Sequence, residues 1–575
     1  MFLPAEKLDL TATGFLILDQ EFSALGLIGC PSERVEMRRL TGGLRMAIVA
    51  HVGRLAIFAA STVLTASVFH YATSAAPRSA RATDGPVDQG VAMPQQRGDA
   101  VLGREVFRFE TFGNEGFWTD AVRLPAGIKS ARVTPMQALE LGLQIDADAI
   151  DPATKTKLGA ELAADPSGRS SSVLNDPAVT LALIKANAVI GMSAKGDKVG
   201  VSCALCHTMT SASVFKSPAG GSIGSRIDGL ANHDLQAGKI FAIAANTRAL
   251  YPGAQATLQA NHGKTLGRAP IGLTGNSTEA DFDAYFGNPE YYPVGMFDDT
   301  FDGNGDPMHN SPLFRQDLAA PYGSEGTMTK GDDFGNFVYT TMFDQTMLTT
   351  PGGRAFVHTL AGAAGDELIA TYVQILRDTG VTGYPYVRTK TVGKVGELAS
   401  PIGVRVDNQR LLALNAYMAA MPAPAGIVGD QQATMRGRAL FASSGCTGCH
   451  NTSQARAVPT TIHAMARIWP GDRPTILAPR KPPLTPVQDT PGSFFDDKWA
   501  VVNASLRGEK RGIAMPLLLD LARKPVFLHD NSVSSMDMLL DPRRGRSAPH
   551  PFYVAAARPR ADMIVFLKSL DTNSR

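Results

Sequence analysis

The chain has 575 residues, which is enough for two or three domains. Apolar residues make up 44% and charged residues 19%, and the 56 glycines and 37 prolines favour helices joined by long irregular loops over a simple helix bundle. The formal net charge of +2 gives no indication of a nucleic-acid partner or of an acidic membrane surface, so neither is predicted.

Residues 1–76 are predicted to be a leader region, with the export signal proper at about 46–76. Several arginines precede a short apolar run from Leu55 to Val68, and the small residues Ser74, Ala75 and Ala76 follow it. The run is shorter than the roughly 20 residues that a membrane span needs. We therefore expect export to the periplasm. The alternative is an uncleaved segment that holds the protein at the membrane, facing the periplasm.

Residues 77–97 are polar and rich in Pro and Gly, which is typical of a flexible lead-in to a folded region. A first domain is predicted over 98–378, a linker over 379–400 and a second domain over 401–575.

Four of the five cysteines form two pairs, and each pair is followed directly by a histidine. Such a C-x-x-C-H sequence is the attachment signature of a c-type haem. Two thiols about one helical turn apart can bond to one porphyrin, and the adjacent histidine then supplies the proximal nitrogen to iron. The sequence therefore predicts two covalently bound haem c groups. The first motif is Cys203-Ala-Leu-Cys206-His207 and the second is Cys446-Thr-Gly-Cys449-His450.

Three other uses of these residues compete with haem attachment. A thioredoxin-like C-x-x-C would stand in a βαβ setting and would not require the histidine. A zinc site built from all four cysteines would join pairs that are far apart in the chain and would leave both histidines without a role. A disulfide within each pair would be strained in a structural role.

The predicted fold class is mainly α, with two cytochrome c-type haem domains, long loops and a large insert after the first motif. Part of the insert alternates carboxylates and an amide around glycines, in the manner of a calcium site built from oxygen ligands. The candidate Ca²⁺ ligands are Asp298, Asp302, Asn304 and Asp306. The glutamate that closes an EF-hand loop is absent, so a plain Asp/Gly turn is the equal alternative.

The second domain is predicted to pack a first helix against a last helix around its haem. Met435, Leu440 and Phe441 fall on one face of the helix before the second motif. Apolar residues also recur at helical spacing from Met563 to Leu570.

With its two motifs and its signal, the chain resembles the bacterial dihaem cytochrome c peroxidase superfamily. This superfamily also contains the dihaem rubber oxygenases and the enzyme that matures methylamine dehydrogenase. The residues that carry the resemblance are the segments Leu102–Phe107 and Ser202–His207 and the block from Met515 to Val533. The extra length of residues 208–400 is closer in style to the rubber oxygenases than to the short peroxidases.

The resemblance implies where further iron ligands and a proton donor lie. His550 is the candidate distal ligand of the second haem, because it lies about where a rubber oxygenase would have one. Met515, His529, Met536 and Met538 are the other candidates there. For the first haem no distal ligand stands out among His233, His262, Met296 and His309. Glu115 is the candidate catalytic acid that would transfer a proton near the first haem.

The predicted function is that of an exported dihaem redox enzyme. Electrons would pass through the C-terminal haem, and hydrogen peroxide or dioxygen would react at the N-terminal haem. The electrons would come from a redox protein partner or a quinol-linked donor. The alternative is a non-catalytic periplasmic cytochrome that relays electrons between proteins, with both irons six-coordinate. A third reading is an enzyme that oxidises side chains of a partner protein.

Overall fold

The computed structural model describes most of the chain beyond residue 97 but leaves gaps. The described residues are 98–254, 273–289, 292, 294–298, 307–319, 322, 330–361, 363–454, 462–464, 512–528, 533–546, 548 and 550–574. All of them belong to one compact unit, Tyr71–Arg575. The predicted leader and lead-in lie outside the described residues, so export stays a prediction.

Helices dominate the described secondary structure, which confirms the predicted mainly α class. The α-helices are α1 Ala100–Phe109, α2 Leu124–Ser130, α3 Pro135–Glu140, α4 Pro152–Ala164, α5 Ser172–Asn175, α6 Pro177–Lys185, α7 Ala204–His207, α8 Ala237–Phe241, α9 Glu279–Gly287, α10 Gly331–Phe337, α11 Pro351–Ala361, α12 Ala363–Asp378, α13 Asn408–Ala420, α14 Gln431–Ser443, α15 Met536–Leu539 and α16 Ala557–Lys568. Short π-helical turns at Phe117–Ala121 and Val338–Met342 add to them.

The strands are short and form small sheets between the helices. They are β1 Ile145–Asp146, β2 Met192–Lys195, β3 Lys198–Val201, β4 Thr208–Thr210, β5 Phe215–Lys216, β6 Ser222–Gly224, β7 Arg226–Asp228, β8 Met296–Asp298, β9 Pro307–His309, β10 Thr391–Val392, β11 Val404–Arg405, β12 Ile462–Ala464 and β13 Gly512–Ala514. The order β1-β6-β5 makes a three-stranded sheet, in which β1 is parallel to β6. The other five pairs are antiparallel: β2/β3, β4/β7, β8/β9, β10/β11 and β12/β13.

Helix α1 packs closely on α13, and both contribute to the larger hydrophobic core. Asp99 caps the start of α1 by accepting hydrogen bonds from the backbone N–H groups of Val101 and Leu102 at 2.8 and 3.2 Å. A Cβ atom on Gly103 would lie only 1.9 Å from the carbonyl oxygen of Ala413, so the helix crossing requires glycine there. Although the sequence assigned α13 to the second domain, its side chains pack in the core that contains the first motif. The predicted domain boundaries themselves stay a prediction.

We expect Gly103→Ala to lower the free energy of unfolding by about 1–3 kcal/mol, because the added methyl group forces α1 and α13 apart. The matched control is Gly159→Ala in α4, where a Cβ atom would meet nothing within 4 Å. That control should instead stabilise the protein by about 0.5–1 kcal/mol, because alanine favours helix interiors. Denaturant unfolding of both variants measures the difference. Equal stabilities for the two variants would contradict the close helix crossing.

A smaller core contains α14 and α16, which confirms the predicted packing of a first helix on a last one. The rings of Phe441 and Phe566 meet edge to face with centres 5.8 Å apart. A Cβ atom on Gly437 would lie 2.2 Å from the carbonyl oxygen of Asp562, so these helices also cross closely. The predicted apolar face is wrong for Met435, which is 58% exposed. The helix therefore buries Phe441 and its small residues instead.

No helix in the described ranges has the length and apolarity to cross a membrane.

Candidate haem-attachment sites

The first C-x-x-C-H motif forms helix α7 and lies between strands β3 and β4. Neighbouring loops hold its end in place: the backbone N–H of Gly229 donates to the carbonyl oxygen of His207 at 2.8 Å, and that of Asn232 donates to the carbonyl oxygen of Cys206 at 2.9 Å. Gly191 packs against the motif, since a Cβ atom there would lie 2.2 Å from the backbone of Leu205. The motif is therefore a fixed element of the larger core.

The side chain of His207 is oriented by a backbone carbonyl. Its Nδ1 lies 2.7 Å from the carbonyl oxygen of Ser311, so Nδ1–H donates this bond and Nε2 is left as the nitrogen that can bind a metal. Burial lowers the pKa of His207 to about 4, so the ring is neutral at physiological pH. A neutral imidazole whose second nitrogen is held by a carbonyl is the usual form of a histidine metal ligand.

The cysteines of the motif do not have the properties of a redox-active pair. Burial raises the pKa of Cys203 to about 11 and that of Cys206 to about 12, whereas reactive C-x-x-C thiols have lowered pKa values. Both are free thiols, as are Cys446 and Cys449 in the described part of the chain. The raised pKa values therefore argue against the thioredoxin-like interpretation of the first motif.

The two motifs pack in different cores, and the described residues contain no cluster of three or more His, Cys, Asp or Glu side chains that could hold a metal ion. A shared zinc site is therefore not formed by these residues.

The second motif lies at the end of α14, where Cys446–Gly448 form a 3-10 turn. The backbone N–H groups of Cys449 and His450 both donate to the carbonyl oxygen of Cys446, at 3.1 and 2.9 Å. Cys446 packs on the smaller core, and burial raises the pKa of its thiol. The turn therefore brings both sulfur atoms and the histidine of the second motif together.

His550, the predicted distal ligand, lies opposite His450. The two ring centres are 6.1 Å apart, and the ring planes are inclined at 53°. A metal–imidazole bond is about 2 Å long and the ring centre is about 1 Å beyond the nitrogen, so two imidazoles on opposite sides of one metal have centres about 6 Å apart. The spacing of His450 and His550 therefore fits two axial ligands of one iron.

The surroundings of His550 favour the same role. Burial, together with His450 and Arg544, lowers its pKa to about 3, so the ring is neutral. Its Nδ1 is buried and accepts or donates no hydrogen bond among the described residues. The backbone of His550 has a φ of 54°, a left-handed conformation that costs a non-glycine residue free energy and that often marks functional positions.

Glu115, the candidate catalytic acid, is buried just before the first π-helical turn. It accepts hydrogen bonds from the hydroxyl of Thr111 and from Nη1 of Arg388, the latter at 3.2 Å. Burial alone would raise its pKa, but these bonds outweigh burial and lower the pKa. The carboxylate is therefore ionised in the described structure, and its role as a proton donor stays a prediction.

We expect Thr111→Val to raise the pKa of Glu115 and to destabilise the protein by about 1.5 kcal/mol at neutral pH, because a hydrogen bond to a charged group is lost. A carboxylate with a lowered folded-state pKa stabilises the fold above its unfolded pKa, and this stabilisation disappears as the pH falls through the folded-state value. The difference from the parent protein should therefore shrink in acid. Urea unfolding across pH measures it, with the exposed Thr156→Val as control. A difference that is constant across pH would contradict this assignment.

Several other predicted residues are only partly described. Asp298 ends strand β8, while Asp302, Asn304 and Asp306 lie outside the described residues, as do His262 and His529, so the calcium site stays a prediction. Met515 and Met536 are buried, and Met536 packs in the smaller core.

The structure brings His233 and His309 together near the first motif. Their ring centres are 6.0 Å apart, and Nε2 of His309 lies 3.0 Å from Nζ of Lys524. Sequence reasoning named both histidines as candidate ligands but missed Lys524, although this lysine begins the Lys524–Val533 part of the block used for the resemblance. It also missed Tyr339, whose hydroxyl lies 3.4 Å from Sγ of Cys203, and no spacing in the sequence indicates that contact.

Comparisons with known proteins assign no family. No protein-family model matches the chain, and no curated protein matches it. One solved structure that matches is hydrazine synthase of Kuenenia stuttgartiensis pressurized with xenon, at 14% identity over 56% of this chain and 87% of that chain, with a TM-score of 0.25. A TM-score of 0.25 is too low to assign a fold or a function by analogy.

Proposed function

We propose that the protein is an exported dihaem c-type cytochrome that acts as a redox enzyme, in which the C-terminal haem transfers electrons and the N-terminal haem reacts with hydrogen peroxide or dioxygen. The observation that carries the proposal is the pair of imidazoles at the second motif. The ring centres of His550 and His450 are 6.1 Å apart, which is the spacing expected of two ligands of one metal ion. At the first motif, the carbonyl oxygen of Ser311 holds His207 through Nδ1 and leaves Nε2 available to a metal.

The residues present fit two covalently attached haems. Cys203 and Cys206 would tether one and Cys446 and Cys449 the other, through thioether bonds to the porphyrin. When bound, each haem would supply an iron centre that exchanges single electrons, and the haem at the first motif would supply the reactivity towards a small oxidant. The protein supplies the neutral ring of His207, held through its Nδ1–H by the carbonyl oxygen of Ser311.

At the second site, the chain supplies two imidazoles, those of His450 and His550. Two strong axial ligands exclude exogenous ligands from an iron and suit it to electron transfer. His450 is held by the turn of its motif, and the carbonyl oxygen of His550 accepts a hydrogen bond from the backbone N–H of Phe552 at 2.8 Å. This arrangement supports an electron-transfer role for the C-terminal haem and leaves reactivity to the N-terminal one.

The proposal includes membership of the dihaem cytochrome c peroxidase superfamily, a periplasmic location, and reduction by a redox protein partner or a quinol-linked donor. The resemblance at the motifs and in the C-terminal block supports the first, and the signal-like segment at about 46–76 supports the second. The insert after the first motif favours oxygenase-type chemistry over simple peroxide reduction.

Optical and electron-paramagnetic-resonance spectra of the purified protein, as isolated and half reduced, test the proposal. We expect one low-spin haem that does not bind cyanide and one high-spin haem that does. Two low-spin haems that respond to neither cyanide nor peroxide would overturn the proposal in favour of a pure electron carrier. A colourless protein from a host competent in cytochrome maturation would overturn both.

A further inference from the structure

A cluster of three basic side chains lies beside the first motif and has no part in the proposed function. His233 and His309 face each other, and Nζ of Lys524 lies 3.0 Å from Nε2 of His309. Lys524 also lowers the pKa of His233, after burial, so all three side chains share one environment. We define these residues as the basic cluster.

Two loops attach the basic cluster to the motif itself. Asn232, next to His233, donates its backbone N–H to the carbonyl oxygen of Cys206 at 2.9 Å. Ser311, two residues after His309, accepts the Nδ1–H of His207. The side chain of Asn310 then joins the loops by donating to the carbonyl oxygen of Asn232 at 2.7 Å. Both histidines therefore lie within two residues of a group that is bonded to the motif.

Lys524 reaches this cluster from a segment that contacts both cores. In that segment Leu519 packs in the larger core, whereas Leu518 and Phe527 pack in the smaller one. Lys524 is thus held by apolar anchors on either side of it, and its ammonium group is directed at His309 rather than at solvent.

Lys524 is the cation of the basic cluster, because burial lowers the pKa of His233 to about 3 and leaves that ring neutral. Asp520 is the acid that faces Lys524, and Nε of Arg523 already lies 2.5 Å from a carboxylate oxygen of Asp520. An ammonium group has three protons, of which His309 Nε2 accepts one. The Nδ1 of His233 is buried and has no hydrogen-bond partner in the described part of the chain. Buried donors without acceptors are costly, so the cluster favours an anionic ligand that accepts from several of them.

We propose that Lys524, His309 and His233 bind a carboxylate beside the first motif, and that a propionate of the haem attached there supplies it. The inference rests on the proposed function, because the propionate belongs to that haem. A carboxylate offers up to four acceptor sites, which matches an ammonium group flanked by two imidazoles. Lys524 would thereby place a positive charge next to the first haem from a segment that also packs in the smaller core.

The test compares the haem-loaded Lys524→Met variant with Lys524→Arg and with the exposed control Lys155→Met. Covalent haem content is measured first. A parent protein without haem overturns this inference together with the proposed function. With haem present, Lys524→Met should shift the midpoint potential of the first haem to more negative values, because a cation that disfavours the oxidised state is lost. In Lys524→Arg the midpoint potential should be close to that of the parent protein, because the positive charge is kept. In Lys155→Met the potential should equal that of the parent.

Two further measurements identify the source of the carboxylate. Redox-difference infrared spectra of the parent protein should show a propionate stretching band that moves in Lys524→Met but not in Lys155→Met. If that band does not move but acetate perturbs the first haem spectrum in the parent and not in Lys524→Met, the site binds a soluble carboxylate and the propionate assignment is overturned. Unchanged potential, infrared spectrum and acetate response in a folded, haem-loaded Lys524→Met protein would overturn the whole inference.

Discussion

Serine replacement of both cysteines of one motif should remove one haem and leave the other attached. Cys203→Ser with Cys206→Ser should yield a protein that retains the C-terminal haem, and Cys446→Ser with Cys449→Ser one that retains the N-terminal haem. Each double variant should be lighter than the parent by the mass of one haem and should have about half its haem absorbance per chain, because the thioether bonds of each porphyrin come from one motif. Intact-mass analysis and the absorbance of the haem–pyridine complex measure both quantities.

The remaining cysteine provides the control. Cys30 precedes the predicted signal, so Cys30→Ser should retain both haems. Loss of both haems in either double variant, with the fold retained, would contradict independent attachment. The two packed cores make independent attachment the expected outcome, because each motif is supported by its own set of buried residues.

Replacement of His550 by glycine should convert the second haem from low spin to high spin. The variant removes an imidazole whose ring centre is 6.1 Å from that of His450. Glycine adopts the φ of 54° at this position without strain, so the backbone should be retained. Most of the low-spin signal in the electron-paramagnetic-resonance spectrum should disappear, and added imidazole should restore it by entering the space that the side chain leaves.

The control for His550→Gly is His358→Ala, because His358 is 59% exposed and pairs with Asp366 on the protein surface. This control should have the spectrum of the parent. A low-spin second haem that persists in His550→Gly, without added imidazole, would show that another residue is the axial ligand. Met515, Met536 and Met538, the other described candidates, would then be replaced in turn.

Much of the local structure could be predicted from the sequence, because it depends on short-range patterns. Apolar residues recur at helical spacing around Leu411 and a proline follows Met421, which is the pattern of the helix that the structure has at Asn408–Ala420. The helix before the second motif and the last helix were likewise indicated by apolar residues at helical spacing, and they pack together. The error at Met435 arose because periodicity defines a face but not which part of that face a partner helix covers.

The candidate sites also combine features that contiguous residues predict with features that only tertiary packing sets. Both motifs are contiguous in the chain, so covalent chemistry alone predicts which cysteines and histidines act together. The hydrogen bond from His207 to the carbonyl oxygen of Ser311 joins residues more than 100 positions apart, and a backbone acceptor has no sequence signature. The environment of Glu115 is of the same kind, since Arg388 lies far along the chain and reaches it through tertiary packing.

The sequence by itself determined the mainly α class, the two attachment motifs and, through the resemblance, His550 as a candidate ligand, because these depend on neighbouring residues or on composition. The tertiary structure alone decided that His550 faces His450, that α13 packs in the first core, and that Lys524 joins His233 and His309. Contacts between distant segments are set by how buried surfaces fit together, and the order of residues along the chain does not encode that fit in any local pattern.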